Sequence, residues 1–307
     1  MLVTLNHVLS RANKVRYAVG AFNINNLETL QAVMQAAEEE QSPVIIQTSE
    51  GAIEYAGMDE LAALVHLAAK KSKRPVVFHL DHGKNRALVV SAVKSGYYTS
   101  VMFDGSSLPY EKNVQATKHI VSLAHARGIS VEAELGAIAG IEDFISVSDR
   151  DAHFTDPAQA ADFVARTGCD ALAIAIGTSH GAFKFKASSK LDLNRLSEIK
   201  KQISVPLVLH GASGVPAVIK EQCITYGCEI GSAKGVSDAT IRQAVRRGIN
   251  KVNIDTDLRI AFDAGIRKFL SENPSVIDPR KILGPAKELI TKVVRQKMRL
   301  LGCAGKA

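Results

Sequence analysis

The chain has 307 residues, 46% of them hydrophobic and 22% charged, which describes an ordinary globular protein and excludes a disordered or collagen-like one. Its four cysteines, Cys169, Cys223, Cys228 and Cys303, show no C-x-x-C spacing and exclude a disulfide scaffold in so long a chain, so a reducing cytoplasm is the expected location. No secretion or membrane insertion is expected, and the net charge of +7 is read as favouring small anions over nucleic acid, because the basic residues are scattered, aromatics are scarce and no recognition motif occurs.

In chain order, Tyr17 to Asn23 predicts a short strand and Leu27 to Glu39 a helix with apolar residues at helical spacing. A second strand, Pro43 to Gln47, ends at Thr48-Ser49-Glu50-Gly51 and precedes a helix from Asp59 to Lys71. The third is Pro75-Val-Val-Phe-His-Leu-Asp-His-Gly83, an apolar run that stops abruptly in two histidines and an aspartate, with a helix from about Ala87 to Lys94 behind it. Here His79 and Asp81 share a face, and His82 is expected to turn elsewhere because the strand is ending. Further strands are predicted at Thr99 to Asp104, Ser130 to Leu135, Ala171 to Ile176, Val205 to His210 and Lys251 to Asp255, with helices at Glu111 to Arg127 and Ala158 to Arg166. Eight such runs alternating with helices, most too apolar for a sheet with one wet face, predict a (β/α)8 TIM barrel occupying residues 1–307 as a single domain. Residues from about 280 to 302 form an extra C-terminal helical tail, packed on the barrel or on a partner subunit.

Barrel active sites lie where strands finish, so residues at those ends are pooled regardless of their distance in sequence. The pool holds His79, Asp81 and His82, then Asp104, Glu132 and Glu134, then His180, His210, Asn253, Asp255 and Asp257. Three histidines at one rim, His82, His180 and His210, form the ligand set of a catalytic zinc with an open position, with Co2+ or Fe2+ as substitutes. Two glycine-containing loops, Gly177 to Gly181 with Lys184 behind it and His210 to Gly214, suit a phosphate, since their backbone N–H groups can approach an oxyanion closely. The segment from about 136 to 156 exceeds an ordinary barrel connection and is read as a lid carrying Glu142 and Asp143. A metal, a strand-end carboxylate, a mobile carboxylate and a phosphate cradle together suit proton abstraction beside a carbonyl.

These motifs, from Gly20-Ala-Phe-Asn23 and Gln47-Thr-Ser-Glu-Gly51 through His79-Leu-Asp-His-Gly83 and Glu132-Ala-Glu-Leu-Gly136 to Asn253-Ile-Asp-Thr-Asp-Leu-Arg259, resemble the class II, metal-dependent fructose-1,6-bisphosphate aldolases and their tagatose-bisphosphate relatives. The resemblance spans the whole chain and implies reversible cleavage of a ketose bisphosphate to dihydroxyacetone phosphate and glyceraldehyde 3-phosphate. It implies zinc on His82, His180 and His210, with Glu134 and Asp104 as neighbours able to hold displaced or additional metal. By the same resemblance Asp81 exchanges the C4 hydroxyl proton, Glu142 exchanges the proton on the dihydroxyacetone phosphate carbon, and Asn253 helps to hold the enediolate. Gly181, Lys184, Gly211, Ser213, Asp255 and Thr256 match the site around the ketose phosphate, Ser49 a substrate contact, and Arg259 a group that reaches the distal phosphate. A monovalent cation (Na+ or K+) near the phosphate loops and a homodimer or homotetramer are implied as well. Two places depart from the family pattern: Ser107 stands where a histidine is common, and Gly136 to Glu142 replaces a more polar lid stem. The Asp255-Thr-Asp-Leu-Arg259 run favours fructose over tagatose. The competing readings are tagatose-1,6-bisphosphate aldolase, a Schiff-base aldolase, and a non-catalytic phosphosugar-binding barrel.

Overall fold

A computed structural model describes residues 1–136, 154–178, 191–214, 216–230 and 235–307 in full, and the backbone alone of 139–142, 145–147 and 179–180. The first half runs α1 (Leu5–Val15), β1 (Val19–Asn23), α2 (Leu27–Glu39), β2 (Val44–Thr48), α3 (Glu50–Ala56), α4 (Met58–Lys71), β3 (Val76–Gly83), α5 (Arg86–Ser95), β4 (Ser100–Phe103), α6 (Tyr110–His125) and β5 (Ser130–Leu135). The second continues with β6 (Ala139–Glu142), β7 (Ile145–Val147), α7 (Pro157–Thr167), β8 (Ala171–Ile174), β9 (Ser179–His180), α8 (Leu193–Gln202), β10 (Leu207–Leu209), α9 (Ala217–Thr225), α10 (Asp238–Arg246), β11 (Ile249–Ile254), α11 (Thr256–Glu272) and α12 (Pro279–Leu301). Eight of the strands close into a parallel barrel in the order β1-β11-β10-β8-β5-β4-β3-β2. Each is buried along its whole length, because the barrel interior takes one face and the helices take the other. No helix among the described residues is long and apolar enough to cross a membrane.

One feature differs from expectation. The segment read as a loop over 136–156 contains an antiparallel pair, β6 with β7, and β6 pairs in parallel with β9, giving a small second sheet outside the barrel. Its residues are short and alternate weakly, so backbone pairing left no periodic trace in the sequence. The tail, α12, packs on this chain's own barrel. Its C-terminal Leu301 carbonyl accepts from Ala18 at the foot of β1, and Glu40 beyond α2 binds both Arg295 and Arg299 at 2.7 Å.

The α11–α12 crossing is close enough to require a glycine. A Cβ on Gly265 would stand 2.5 Å from the Ala286 Cα, a contact with backbone that no side-chain rotation relieves. Alanine inside an exposed helix is ordinarily better than glycine by about 1 kcal/mol. Here the clash reverses the sign, and Gly265→Ala is expected to destabilise by about 1–3 kcal/mol. A urea midpoint at or above wild type would contradict the crossing geometry.

Candidate active site

The geometry of β3 sets the site. Strict strand alternation would send Asp81 and His82 to opposite faces. Between Leu80 and Gly83 the pairing with β4 shifts register, and His82 adopts a left-handed φ of 46°. The strand therefore does not end at His82 as the sequence suggested; it continues to Gly83 through a bulge that re-aims the imidazole toward the barrel mouth beside Asp81. Left-handed backbone on a non-glycine residue costs about 1–3 kcal/mol and persists where surrounding structure enforces it. Gly83 has no room to be anything else, because a Cβ would meet the Met102 carbonyl oxygen at 2.5 Å.

Around this joint the barrel mouth divides in two. On the side of β2, β1 and β11, three amides surround the Asp81 carboxylate. Asn23 and Gln47 each donate to its Oδ2 at 3.0 Å, and Asn253 donates to its Oδ1 at 2.8 Å. Gln47 is itself fixed by the Asn23 carbonyl oxygen at 2.6 Å. Three donors from three strands fix the orientation of this carboxylate.

On the side of β4, β5 and β10 lie imidazoles and carboxylates. His210 Nδ1 and His82 Nε2 face each other at 2.6 Å, with the rings nearly perpendicular. Glu132 Oε1 accepts from His210 Nε2 at 2.7 Å, which places the His210 proton there and turns the Nδ1 lone pair toward His82. His82 Nδ1 lies 3.4 Å from Asp104 and 3.9 Å from Glu134. Ligand atoms of Asp81, His82 and His210, and of His82, Asp104 and Glu134, fall within 4.8 Å of one another, all of them buried.

The two carboxylates of the second group are driven apart. Burial and the neighbouring Asp104 charge push the Glu134 carboxyl well above the usual range. Burial also acts to raise Asp104, but a hydrogen bond and charge from His82, with Lys84 at 3.8 Å, outweigh it and hold Asp104 below the ordinary value. Glu134 Oε2 finds no hydrogen-bond partner among the described residues, and the same is true of Asn253 Oδ1, Gln47 Oε1 and Thr178 Oγ1. Buried acceptors are rarely left unpaired. Three of these orphans, on Glu134, Asn253 and Gln47, stand at the barrel mouth with the facing imidazoles of His82 and His210.

Below this layer lies a second one. Lys251 is fully buried and donates to Glu132 Oε2 at 2.8 Å, and His79 packs beside both, its Nδ1 on Ser100 Oγ at 2.8 Å. Burial and the Lys251 charge hold His79 well below its ordinary pKa, so it stays neutral and lies outside both ligand clusters. The sequence had placed Lys251 at the start of its strand, whereas it sits in the middle of β11 and projects inward.

At the far rim, the His210 loop meets the start of α11. Gly214 donates its backbone N–H to Asp257 Oδ2 at 3.1 Å, and Lys297 of α12 binds the same oxygen at 2.7 Å. A Cβ on Gly214 would stand 2.8 Å from the Lys297 ammonium. Ser213 is buried here, Gly211 takes a left-handed φ of 61°, and Asp255 and Thr256 open the helix. Positive helix-end charge, a lysine and close-approaching glycines fit a phosphate. Arg259 is half-exposed and bidentate on Asp255, at 3.0 and 2.7 Å, and Ser49 caps α3 by accepting from Ala52.

The structure thus gathers Asp81, His82, Asp104, Glu134, His210 and Asn253, and separately joins the loop carrying Gly211 and Ser213 to the start of α11, which Asp255 and Thr256 open, through the Gly214–Asp257 bond. Gly181 and Lys184 lie outside the described residues, as do the side chains of Glu142 and His180, whose backbones belong to β6 and β9. Sequence reasoning assigned no role to Asn23, Gln47 or Lys251, and left Glu132 in the pool without one. The strand-end rule applied equally to polar amides would have found Asn23 and Gln47, which end β1 and nearly end β2.

Comparison with known proteins agrees with this geometry. The profile for "Fructose-bisphosphate aldolase class-II" matches residues 3–306. Fructose-bisphosphate aldolases of Thermus caldophilus and of Helicobacter pylori (strain 26695) are each 48% identical over 307 residues, covering all of both chains. The YdjI aldolase of Escherichia coli K12 superposes with a TM-score of 0.80 at 33% identity, covering 100% of each chain. On these matches the chain belongs to the class II fructose-bisphosphate aldolase family and is an aldehyde-lyase acting on a carbon–carbon bond.

Proposed function

We propose that the protein cleaves D-fructose 1,6-bisphosphate reversibly to dihydroxyacetone phosphate and D-glyceraldehyde 3-phosphate with a bound zinc ion. The observation that carries this is the coincidence at one mouth of an amide-cradled aspartate with unpaired buried acceptors and facing imidazoles. His210 Nδ1 and His82 Nε2 at 2.6 Å need a proton or a cation between them, and the Asp104 carboxylate next to His82 adds negative charge to the same place. The donor set therefore fits a divalent metal on His82 and His210, Glu134 and Asp104 serving as alternative ligands, and the family resemblance supplies His180 as the third nitrogen. Nitrogen with carboxylate suits zinc, cobalt or iron better than magnesium or calcium. When bound, such an ion supplies Lewis-acid polarisation of the ketose carbonyl.

The chain's own residues do the proton work. Asp81 takes the proton of the C4 hydroxyl, the C3–C4 bond breaks, and the electrons left on C3 pass into an enediolate beside Asn253. Glu142, on β6, delivers the proton that completes dihydroxyacetone phosphate. Ser213, Gly211, Asp255 and Thr256, with Gly181 and Lys184, surround the ketose phosphate, assisted by a sodium or potassium ion, while Ser49 and Arg259 reach the remaining sugar and the distal phosphate. Retention of Asp255 and Arg259 as a joined pair supports the fructose substrate over tagatose. The whole chain is read as one domain, assembled as a homodimer or homotetramer in the cytoplasm.

Chelation is expected to abolish cleavage and zinc to restore it, with kcat/KM for the fructose bisphosphate above that for the tagatose epimer. Cleavage that survives chelation and is trapped by borohydride would instead establish a Schiff base, for which Lys251, ion-paired to Glu132, is poorly suited.

A further inference from the structure

A second cluster of metal-type ligands lies away from the barrel mouth. The helix α9 ends at Thr225, and Gly227 follows with a left-handed φ of 85°. The Cys228 N–H bonds the Cys223 carbonyl at 2.9 Å, and the Gly227 N–H bonds the Ile224 carbonyl at 3.0 Å. Those two bonds define a helix stop that brings the side chains two residues before and three residues after the end into contact. Here both are cysteines. A C-x4-C spacing with no meaning along the sequence becomes, through the turn, a facing pair of thiols.

The neighbouring helix α11 presents Asp263 to the same point. Cys223 Sγ donates to Asp263 Oδ2 at 3.4 Å, and Cys228 bonds the same carboxylate. Arg267, one turn on, binds Asp263 Oδ2 at 2.7 Å and the Gly227 carbonyl at 2.9 Å, fixing the carboxylate and the turn together. The two sulfurs and a carboxylate oxygen all lie within 4.8 Å of one another. Ligands of a tetrahedral zinc stand about 3.8 Å apart, given bonds of about 2.3 Å to sulfur. Cys223 is buried whereas Cys228 is half-exposed, so ions have a route in and a water has a fourth position.

We propose that Cys223, Cys228 and Asp263 form an accessory site for a thiophilic divalent cation, zinc or cadmium, that ties α9 to α11. Binding exchanges the two thiol protons, both directed at or beside Asp263, for one doubly charged ion. Net charge in the cluster is thereby unchanged, with Arg267 still balancing one negative ligand. Two protons leave for solvent as two sulfur–metal bonds form. Soft sulfur ligands select zinc or cadmium over magnesium and calcium. Burial and the Asp263 carboxylate raise both thiols, which keeps the pair protonated until a metal arrives.

Cadmium titrated into enzyme carrying a single equivalent of zinc, so that the accessory thiols are still protonated, tests this, read by the ultraviolet sulfur-to-cadmium charge-transfer band, which nitrogen and oxygen ligands do not give. The expected result is a band that saturates at one equivalent, accompanied by release of two protons. Cys228→Ser, a half-exposed position that tolerates the change, is expected to lose the band, Asp263→Asn to need more cadmium for saturation, and His82→Ala to retain it. Absence of the band in the wild-type chain, its survival in Cys228→Ser, or a thiol count showing Cys223 and Cys228 already joined as a disulfide would each overturn the proposal.

Discussion

Replacing Asp81 by alanine is expected to lower the cleavage turnover by about 10²–10⁴-fold, the range for losing a positioned general base, while metal content stays near that of the wild type. The carboxylate is the focus of donors from three strands: Asn23 of β1, Gln47 of β2 and Asn253 of β11. Among the described residues no other buried carboxylate at the mouth has three neutral donors; Asp104 answers to His82 and Lys84, and Glu132 to His210 and Lys251. Removing Asp81 thus removes the carboxylate that these amides orient. Turnover within threefold of wild type, with full metal occupancy, would transfer the proton step to another group. The amides give an internal control. Gln47→Glu sets a second negative charge 3.0 Å from Asp81 Oδ2 and is expected to shift the acid limb of the pH–rate profile to higher pH, because like charge makes the Asp81 proton harder to remove.

Lys251→Met is expected to cost about 3–5 kcal/mol of stability, since it strands a buried Glu132 charge. Both side chains are inaccessible to solvent, and their 2.8 Å contact spans the barrel from β11 to β5. Methionine fills a similar volume, so the loss measures charge and not cavity. Pairing it with Glu132→Gln removes the orphan and is expected to recover most of the stability, a non-additivity that a denaturant-midpoint double-mutant cycle reads directly. Additive losses would show that the pair is not coupled. Glu132→Gln alone also frees the His210 Nε2 proton from its acceptor at 2.7 Å. Disturbing such a partner of a metal-ligating histidine ordinarily weakens metal binding about 10–100-fold. Stability and metal affinity are therefore expected to fall together, a link between the barrel core and its mouth.

That link also separates what can be read from sequence and what cannot. A strand ending in His-Leu-Asp-His is legible because polar residues interrupt an apolar run locally, and the alternation of eight such runs with helices is legible because burial on both faces leaves a continuous apolar signature. The class II aldolase family follows from motif order alone. By contrast, the pairing of Lys251 with Glu132, 119 residues apart, depends on barrel register and closure. A lysine in a strand reads as a surface residue until the sheet is closed and its interior counted. The amide cradle of Asp81 hides for the same reason, as Asn23, Gln47 and Asn253 have no sequence proximity to signal that they meet. So does the cysteine pair, which requires a helix to stop at Gly227 before its two thiols can face each other.

The sequence by itself determined the fold class, the family and the residue types at the mouth, since these follow from local patterning and motif order. Only the tertiary structure decided how they are oriented: the bulge and left-handed backbone that turn His82 inward beside Asp81, and the buried ion pair beneath His210. The physical reason is that hydrophobic periodicity is written residue by residue along the chain, whereas register shifts and buried polar pairs are contacts between distant strands that exist only once the barrel has closed.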